Sequence, residues 1–214
     1  MIEYHKIQSV YLRDPATRHR TFLLGEWSMA EFGYLANNDW LWTEKVDGTN
    51  IRVRSYADRV EFGGRTEDAQ IPAQLITRLQ AMFTLELFRE KLPDEGEVIL
   101  FGEGYGAKIQ KGGGNYKADG CDFVLFDVMI GGTYLERENV VDIGEKLGVR
   151  VVPVVGVGSL NAAIETVRAG MESAWGNFAA EGLVMRPAVE LVTRRGHRII
   201  TKVKTRDFKD AKNA

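Results

Sequence analysis

Short strands crowd this chain and helices fall among them unevenly, which limits the folds open to it. Residues 51–56 alternate Ile51, Val53 and Ser55 with Arg52, Arg54 and Tyr56, the period-2 pattern of a half-buried strand. Asp58 supplies a turn residue, and residues 60–63 return as the hairpin partner. Further strands are expected over residues 41–46, 97–101, 123–129, 149–157, 183–186 and 198–204, with strand plus loop over residues 1–20. Helical spacing is confined to fewer stretches. Leu75, Ile76, Leu79, Met82, Phe83 and Leu87 mark one, opened by Pro72 and ended by Pro93. Residues 136–147 mark another, with Gly148 placed as a left-handed C-cap, and residues 160–171 a third. Residues 111–116 contain Gly112, Gly113 and Gly114 and read as a mobile loop. The tail from Arg206 reads as frayed or helical. There is no regular strand–helix–strand alternation, internal repeat or low-complexity linker. The pattern favours an α+β class with mostly antiparallel sheets over a doubly wound parallel fold.

At 214 residues the chain is long enough to bury a substantial core without covalent staples. A single cysteine, Cys121, excludes both an internal disulfide framework and cysteine-rich zinc sites. No apolar run approaches a membrane span, and residues 1–20 are too polar for a secretory signal, so a cytoplasmic monomer without a membrane partner is expected. Lys and Arg total 28 against 30 Asp and Glu, for a net charge of −2. That argues against a generic nucleic-acid coat but leaves room for a local basic groove. Such an excess occurs in residues 186–214, where nine Lys and Arg face only Glu190, Asp207 and Asp210. Charge runs are also often plain solvated faces.

The chemistry-bearing segments begin with Glu44-Lys45-Val46-Asp47-Gly48-Thr49-Asn50, between two strand candidates. A lysine at a strand end followed by a tight turn can present a nucleophilic amine. Alone, Asp47-Gly48 fits an ordinary hairpin turn equally well. Five more segments follow: Gly63-Gly64-Arg65-Thr66-Glu67, Phe101-Gly102-Glu103-Gly104, Asp122 to Val128, Glu181-Gly182-Leu183-Val184-Met185-Arg186-Pro187, and Thr201-Lys202-Val203-Lys204. In this order and at these distances they resemble motifs I, Ia, III, IIIa, IV and V of the covalent nucleotidyltransferases, the polynucleotide ligases and mRNA-capping enzymes. The resemblance spans about residues 40–205. Within that superfamily the chain is most similar to the RNA ligases of the phage T4 RNA ligase 2 group. Thr49-Asn50 after the glycine, Phe123 to Asp127, and the opening Tyr4-His5-Lys6-Ile7-Gln8-Ser9 carry that likeness. The group often has His two residues after the nucleophile, where this chain has Asp47, as DNA ligases and capping enzymes do.

The resemblance implies an ATP-grasp-like nucleotidyltransferase domain with two mostly antiparallel sheets flanked by helices. Residues 1–214 are expected to form that single domain, without the separate C-terminal nucleic-acid-binding domain of larger relatives. It further implies Lys45 as the nucleophile, with Lys202 and Lys204 on the α-phosphate. Lys202 and Lys204 lie two apart on a strand and so share one face, where they could grip a triphosphate or merely protect an edge strand. Glu181 would help hold Mg2+ or Mn2+, both suited to hard oxygen ligands. Glu103 would accept from the ribose, Arg65 would fork onto ribose or phosphate, and Glu44 would help read the base. Phe126 could stack on a purine or be plain core, while Asp127, closing an apolar run, needs a partner or solvent. Asp47, Gly48 and Asn50 complete the implied nucleotide contacts.

The activity implied is that of an ATP-dependent RNA ligase joining a 5′-phosphate end to a 3′-hydroxyl. DNA ligation, GTP-dependent capping, a nucleotide- or nucleic-acid-binding module without ligation, and dependence on a protein partner all stay open. The loop at residues 108–117, with Lys108, Lys111, Tyr116 and Lys117, reads as a surface loop or as a lid and nucleic-acid finger. Cys121, His5, His19 and His197 form no catalytic constellation, and Trp27, Trp40, Trp42 and Trp175 read as core.

Overall fold

A computed structural model describes residues 3–93 and 96–208. Lys209, Asp210 and Lys212 of the basic C-terminal segment lie outside the described residues. The chain divides into two compact units. A flanking unit takes Lys6–Lys45 and the chain from Pro153 onward; a central unit takes Val46–Val152 with the N-terminal residues through His5.

The flanking unit begins with β1 (Gln8–Ser9), β2 (Tyr11–Arg13) and β3 (Phe22–Trp27), of which β2 and β3 pair antiparallel. The turn between them is a 3-10 helix, Pro15–Thr17, capped where Asp14 accepts from the Ala16 N–H at 2.8 Å. Helix α1 (Ala30–Tyr34) leads to β4 (Trp40–Glu44). Trp40 is fully buried, and its indole N–H donates to the Leu35 carbonyl at 2.8 Å.

The chain then enters the central unit through β5 (Thr49–Ser55), β6 (Val60–Gly63), α2 (Ala73–Met82) and α3 (Leu85–Lys91). The single helix expected between Pro72 and Pro93 is two. Thr84 interrupts it because its hydroxyl accepts from the Leu87 N–H and caps a new helix. Then come β7 (Val98–Gly106), the one-turn α4 (Gly113–Tyr116), β8 (Cys121–Ile130), β9 (Thr133–Tyr134) and α5 (Arg137–Leu147), closed by Gly148 at φ +66° as expected. The sheet runs β6-β5-β7-β8-β9 and is antiparallel throughout. Helix α2 packs on β8, and Leu75 and Leu79 are buried with Ile51, Leu100, Phe123 and Leu125 in this unit's core.

Three further expectations change here. Residues 111–116 are anchored rather than loose: Gly113 sits so close to β7 that an added Cβ would lie 2.4 Å from the Gly106 carbonyl oxygen. Arg52 does not face solvent: it is fully buried, and its Nε–H donates to the Gly64 carbonyl at 2.6 Å. The strand expected over residues 149–157 is split. Its first part bonds β8 around Leu125, and only Val154–Gly158, β10, joins a sheet.

Back in the flanking unit, β10 is followed by α6 (Leu160–Ala169), β11 (Gly182–Pro187), β12 (Thr201–Lys204) and a 3-10 turn, Thr205–Phe208. The sheet order is β1-β12-β11-β4-β10, antiparallel except for β1 with β12. Helix α6 packs on β11 and β12, with Ala163, Ile164, Val167, Leu183, Met185 and Val203 in one core. Sheets flanked by helices, almost all antiparallel, are the α+β arrangement favoured by the sequence pattern. No described helix is long and apolar enough to cross a membrane.

Candidate active site

In the flanking unit, β4, β11 and β12 bring their polar ends together. The Lys45 N–H donates to the Gly182 carbonyl at 2.9 Å, fixing the residue after β4 against the start of β11. Gly182 is required there, because an added Cβ would stand 2.1 Å from the Val203 carbonyl oxygen on β12. This close approach sets Glu181 between two cations. Its Oε2 lies 2.7 Å from Lys45 Nζ and its Oε1 2.7 Å from Lys204 Nζ. The three side chains are only 14–19% exposed. Burial by itself would raise the Glu181 pKa. The Lys45 charge beside it and the hydrogen bonds from Lys204 and Lys45 outweigh that and hold the carboxyl below its ordinary value. Lys202 and Lys204 share the half-exposed face of β12, while Thr201 and Val203 are buried on the other.

Glu44 points elsewhere. It is 1% exposed; Oε1 accepts from the Ser173 hydroxyl at 2.5 Å and Oε2 from the Ala174 N–H at 2.7 Å. Its carboxylate pins the loop that carries Trp175, whose N–H donates to Ser173 Oγ. No sequence signal links these residues to Glu44.

The central unit holds the other expected residues. Asp47 Oδ2 accepts from the Gly112 N–H at 3.0 Å, tying the turn after Lys45 to the glycine-rich segment. Gly48 packs on β7, where an added Cβ would lie 2.3 Å from the Gly104 carbonyl oxygen. Asn50 stands opposite Glu103 in the β5–β7 register, and its buried Oδ1 has no hydrogen-bond partner. Glu103 is half-buried between two glycines whose smallness is needed. A Cβ on Gly102 would meet the Phe123 ring at 2.1 Å, and one on Gly104 would meet Leu75 at 2.4 Å. Arg65 is exposed on the turn that buried Arg52 holds.

Phe126 is the extra residue of a β-bulge: Asp127 pairs with Phe101 and Leu125 with Gly102. The bulge leaves Phe126 half-buried, its ring centroid 5.0 Å from that of Tyr4. Asp127 is 1% exposed and accepts from the Tyr4 hydroxyl at 2.5 Å, which supplies a partner for that carboxylate. Cys121 is buried, its thiol pKa pushed up by burial, with Sγ–H directed to the Gln74 carbonyl.

Among the described residues no group of three or more His, Cys, Asp or Glu gathers as a metal cage. Mg2+-type ions are commonly held by one or two carboxylates, with water and substrate phosphate completing the shell. Glu181, a carboxylate held between Lys45 and Lys204, fits that pattern.

Comparison with known proteins agrees with the motif order. A family model described as RNA ligase matches residues 38–204. A single-residue variant of a Naegleria gruberi RNA ligase, solved with ATP and Mn, superposes with a TM-score of 0.68 at 20% identity over 95% of this chain. The same organism's RNA ligase with PPi gives 0.65 at 21% identity over 100% of this chain. Another variant, with AMP and Mn, gives 0.68 at 19% over 100%. This chain spans 56–59% of the length of those chains. No curated protein matches its sequence.

Proposed function

Because the chain belongs to the RNA ligase family, we propose that it is an ATP-dependent RNA ligase with Lys45 as its nucleophile. The observation that carries this reading is the Lys45–Glu181–Lys204 cluster. A lysine attacks phosphorus only as the neutral amine, and a free lysine titrates near ~10.4. With no substrate, the Glu181 carboxylate pairs with the Lys45 ammonium. A triphosphate competes with Glu181 for Lys204 and draws on Lys202 beside it. Once Glu181 is engaged elsewhere, Lys45 has lost its anion and faces like charges, which favours the reactive amine. Glu181 would hold Mg2+ or Mn2+, which when bound neutralises phosphate charge at the transferring phosphorus.

Lys45 Nζ then bonds to the α-phosphorus of ATP and the bond to pyrophosphate breaks, leaving lysyl-AMP. An RNA 5′-phosphate oxygen next takes the adenylyl group, returning Lys45 and giving a 5′-5′ pyrophosphate linkage. Last, the 3′-hydroxyl attacks the RNA 5′-phosphorus and AMP departs. Lys202 and Lys204 meet the charge that grows on the phosphoryl oxygens. In the central unit, the orphaned Asn50 Oδ1, Glu103, Arg65 and half-exposed Phe126 are groups suited to a nucleoside, with Asp47 and Gly48 shaping the turn after Lys45. The relatives solved with ATP, AMP and Mn support ATP as the co-substrate and a divalent ion as cofactor.

Intact mass spectrometry of the protein stripped of any adduct and given ATP and magnesium tests this. Wild type gains one AMP that pyrophosphate removes, and Lys45→Ala gains none. A GMP adduct from GTP instead would move the chain to capping chemistry, and no adduct from folded protein would sink the reading.

A further inference from the structure

A cavity of about 760 Å3 opens in the flanking unit along β1, β2 and the 3-10 turn after β12. Lys6, Arg13, Arg20, Lys202, Lys204 and Arg206 line it, and the one carboxylate among its lining residues is Asp207. That carboxylate is already engaged within the fold. Its Oδ1 lies 2.8 Å from Arg13 Nη2, and its Oδ2 accepts from the Lys204 N–H at 3.0 Å. The cavity wall is therefore strongly cationic in a chain whose net charge is −2.

The cations are placed, not scattered. The Arg13 guanidinium lies over the Phe22 ring at 4.7 Å while Asp207, Ser9 Oγ and the Arg20 carbonyl hold its nitrogens. These bonds fix the guanidinium as part of the groove wall, its charge met by Asp207. Arg20 follows two non-glycine residues with left-handed backbone, Arg18 at φ +57° and His19 at φ +60°. Such a conformation persists only where surrounding bonds enforce it. Here Asp14 does so, accepting from the His19 N–H at 2.9 Å and, through its side chain, from the Ala16 N–H. Lys6, Arg20 and Arg206 are solvent-exposed, so the cationic surface is open to a large ligand.

We propose that this groove takes successive phosphodiesters of the RNA strand and leads them to Lys202 and Lys204. The identity of the polyanion as RNA rests on the ligase reading above. A compact pyrophosphate shares the chemistry but would touch only part of a surface this long.

The test is equilibrium binding of a 5′-phosphorylated single-stranded RNA to the whole protein, in chelator to prevent turnover, across a salt series. Three proteins are compared: wild type, the triple variant Lys6→Gln, Arg20→Gln, Arg206→Gln, and the charge-keeping triple Lys6→Arg, Arg20→Lys, Arg206→Lys. With roughly 0.7 counterions released per single-strand phosphate contact, neutralising three contacts should flatten the log–log salt slope by about 2. The charge-keeping triple should retain the wild-type slope. An unchanged slope in the neutral triple overturns the proposal, as does equal loss in both triples, which would mark a structural effect. Binding of inorganic pyrophosphate alone is the second arm. If the neutral triple weakens it while the RNA slope stands, the groove serves the leaving group and the proposal fails. Lysyl-AMP formation, read separately by mass, keeps the two readings apart. An adduct with an unchanged slope sinks the groove alone, and a flattened slope with no adduct keeps the groove and sinks the ligase.

Discussion

At Glu181 one carboxylate holds two ammonium groups, and its loss would leave Lys45 and Lys204 facing each other with like charge. Glu181→Gln is expected to cost roughly 1.5–3 kcal/mol at neutral pH, the range for hydrogen bonds to charged groups. The sign of its pH dependence follows from the depressed carboxyl. Because the folded-state pKa lies below the ordinary 4.5, the carboxylate's contribution is present above that value and lost as pH falls through the folded one. Thermal unfolding of wild type and variant should therefore stay fully separated above about pH 4.5, draw together as pH falls below it, and converge only below the folded-state pKa; a gap that stays constant down to strong acid would refute the account. Lys45, Glu181, Lys202 and Lys204 each sit in a short motif whose order along the chain carries the likeness, and the structure sets Glu181 2.7 Å from both Lys45 and Lys204. The bonds that Glu44 makes were not legible in the sequence, since Ser173 stands 129 residues away and no local pattern announces it. Arg52 was misread for a related reason. Alternation predicts an outward side chain, but the turn at Gly64 folds back and covers it.

Among the elements, β7 shows most clearly what the glycines of Phe101-Gly102-Glu103-Gly104 do. They let β8 and α2 close on the strand while Glu103 stays half-exposed between them. Gly102→Ala would press a methyl group into the Phe123 ring and the Val124 carbonyl, and overpacking of this kind costs about 1–3 kcal/mol, occasionally more. For a chain of this length that is a fall in melting temperature of about 2–4 °C per kcal/mol; an unchanged melting temperature would show that the strand can relax. Strand and helix positions were read well from periodicity, including β6 in full and the Gly148 cap of α5. What periodicity missed were interruptions made by single side chains. Thr84 splits one apolar stripe into α2 and α3 because a hydroxyl cap competes with continuing the helix. The glycine-rich segment at 112–114 looked loose by composition, yet Gly113 is held by contact with Gly106, which lies too far back in sequence for a turn rule to see.

For the whole molecule, nucleotide binding should appear as stability. At a hundredfold excess over Kd, ATP adds about 2.7 kcal/mol to the folded state, or about 5–10 °C in melting temperature for a chain of this length. If Lys45 takes the adenylyl group covalently, as proposed, part of that gain should survive removal of free ATP in wild type; in Lys45→Ala it should vanish on dialysis. Survival in the variant would place the adduct on another residue. The division into units could not be read from the sequence, because no composition change marks Lys45 or Pro153, and only long-range strand pairing assigns β4 and β11 to one sheet. That interleaving also bears on how the protein is made. Lys45 and Glu181 are 136 residues apart in the chain, and the entire body of the central unit is synthesised between them. The Glu44 N–H to Pro153 carbonyl bond, 3.2 Å, brings the two crossing points together only after that body has been spanned. A growing chain thus exposes Lys45 long before Glu181, the carboxylate that pairs with it, leaves the ribosome. On the proposed reading of Lys45, a fragment ending before Glu181 carries the amine without its ion-pair partner or the two lysines of β12.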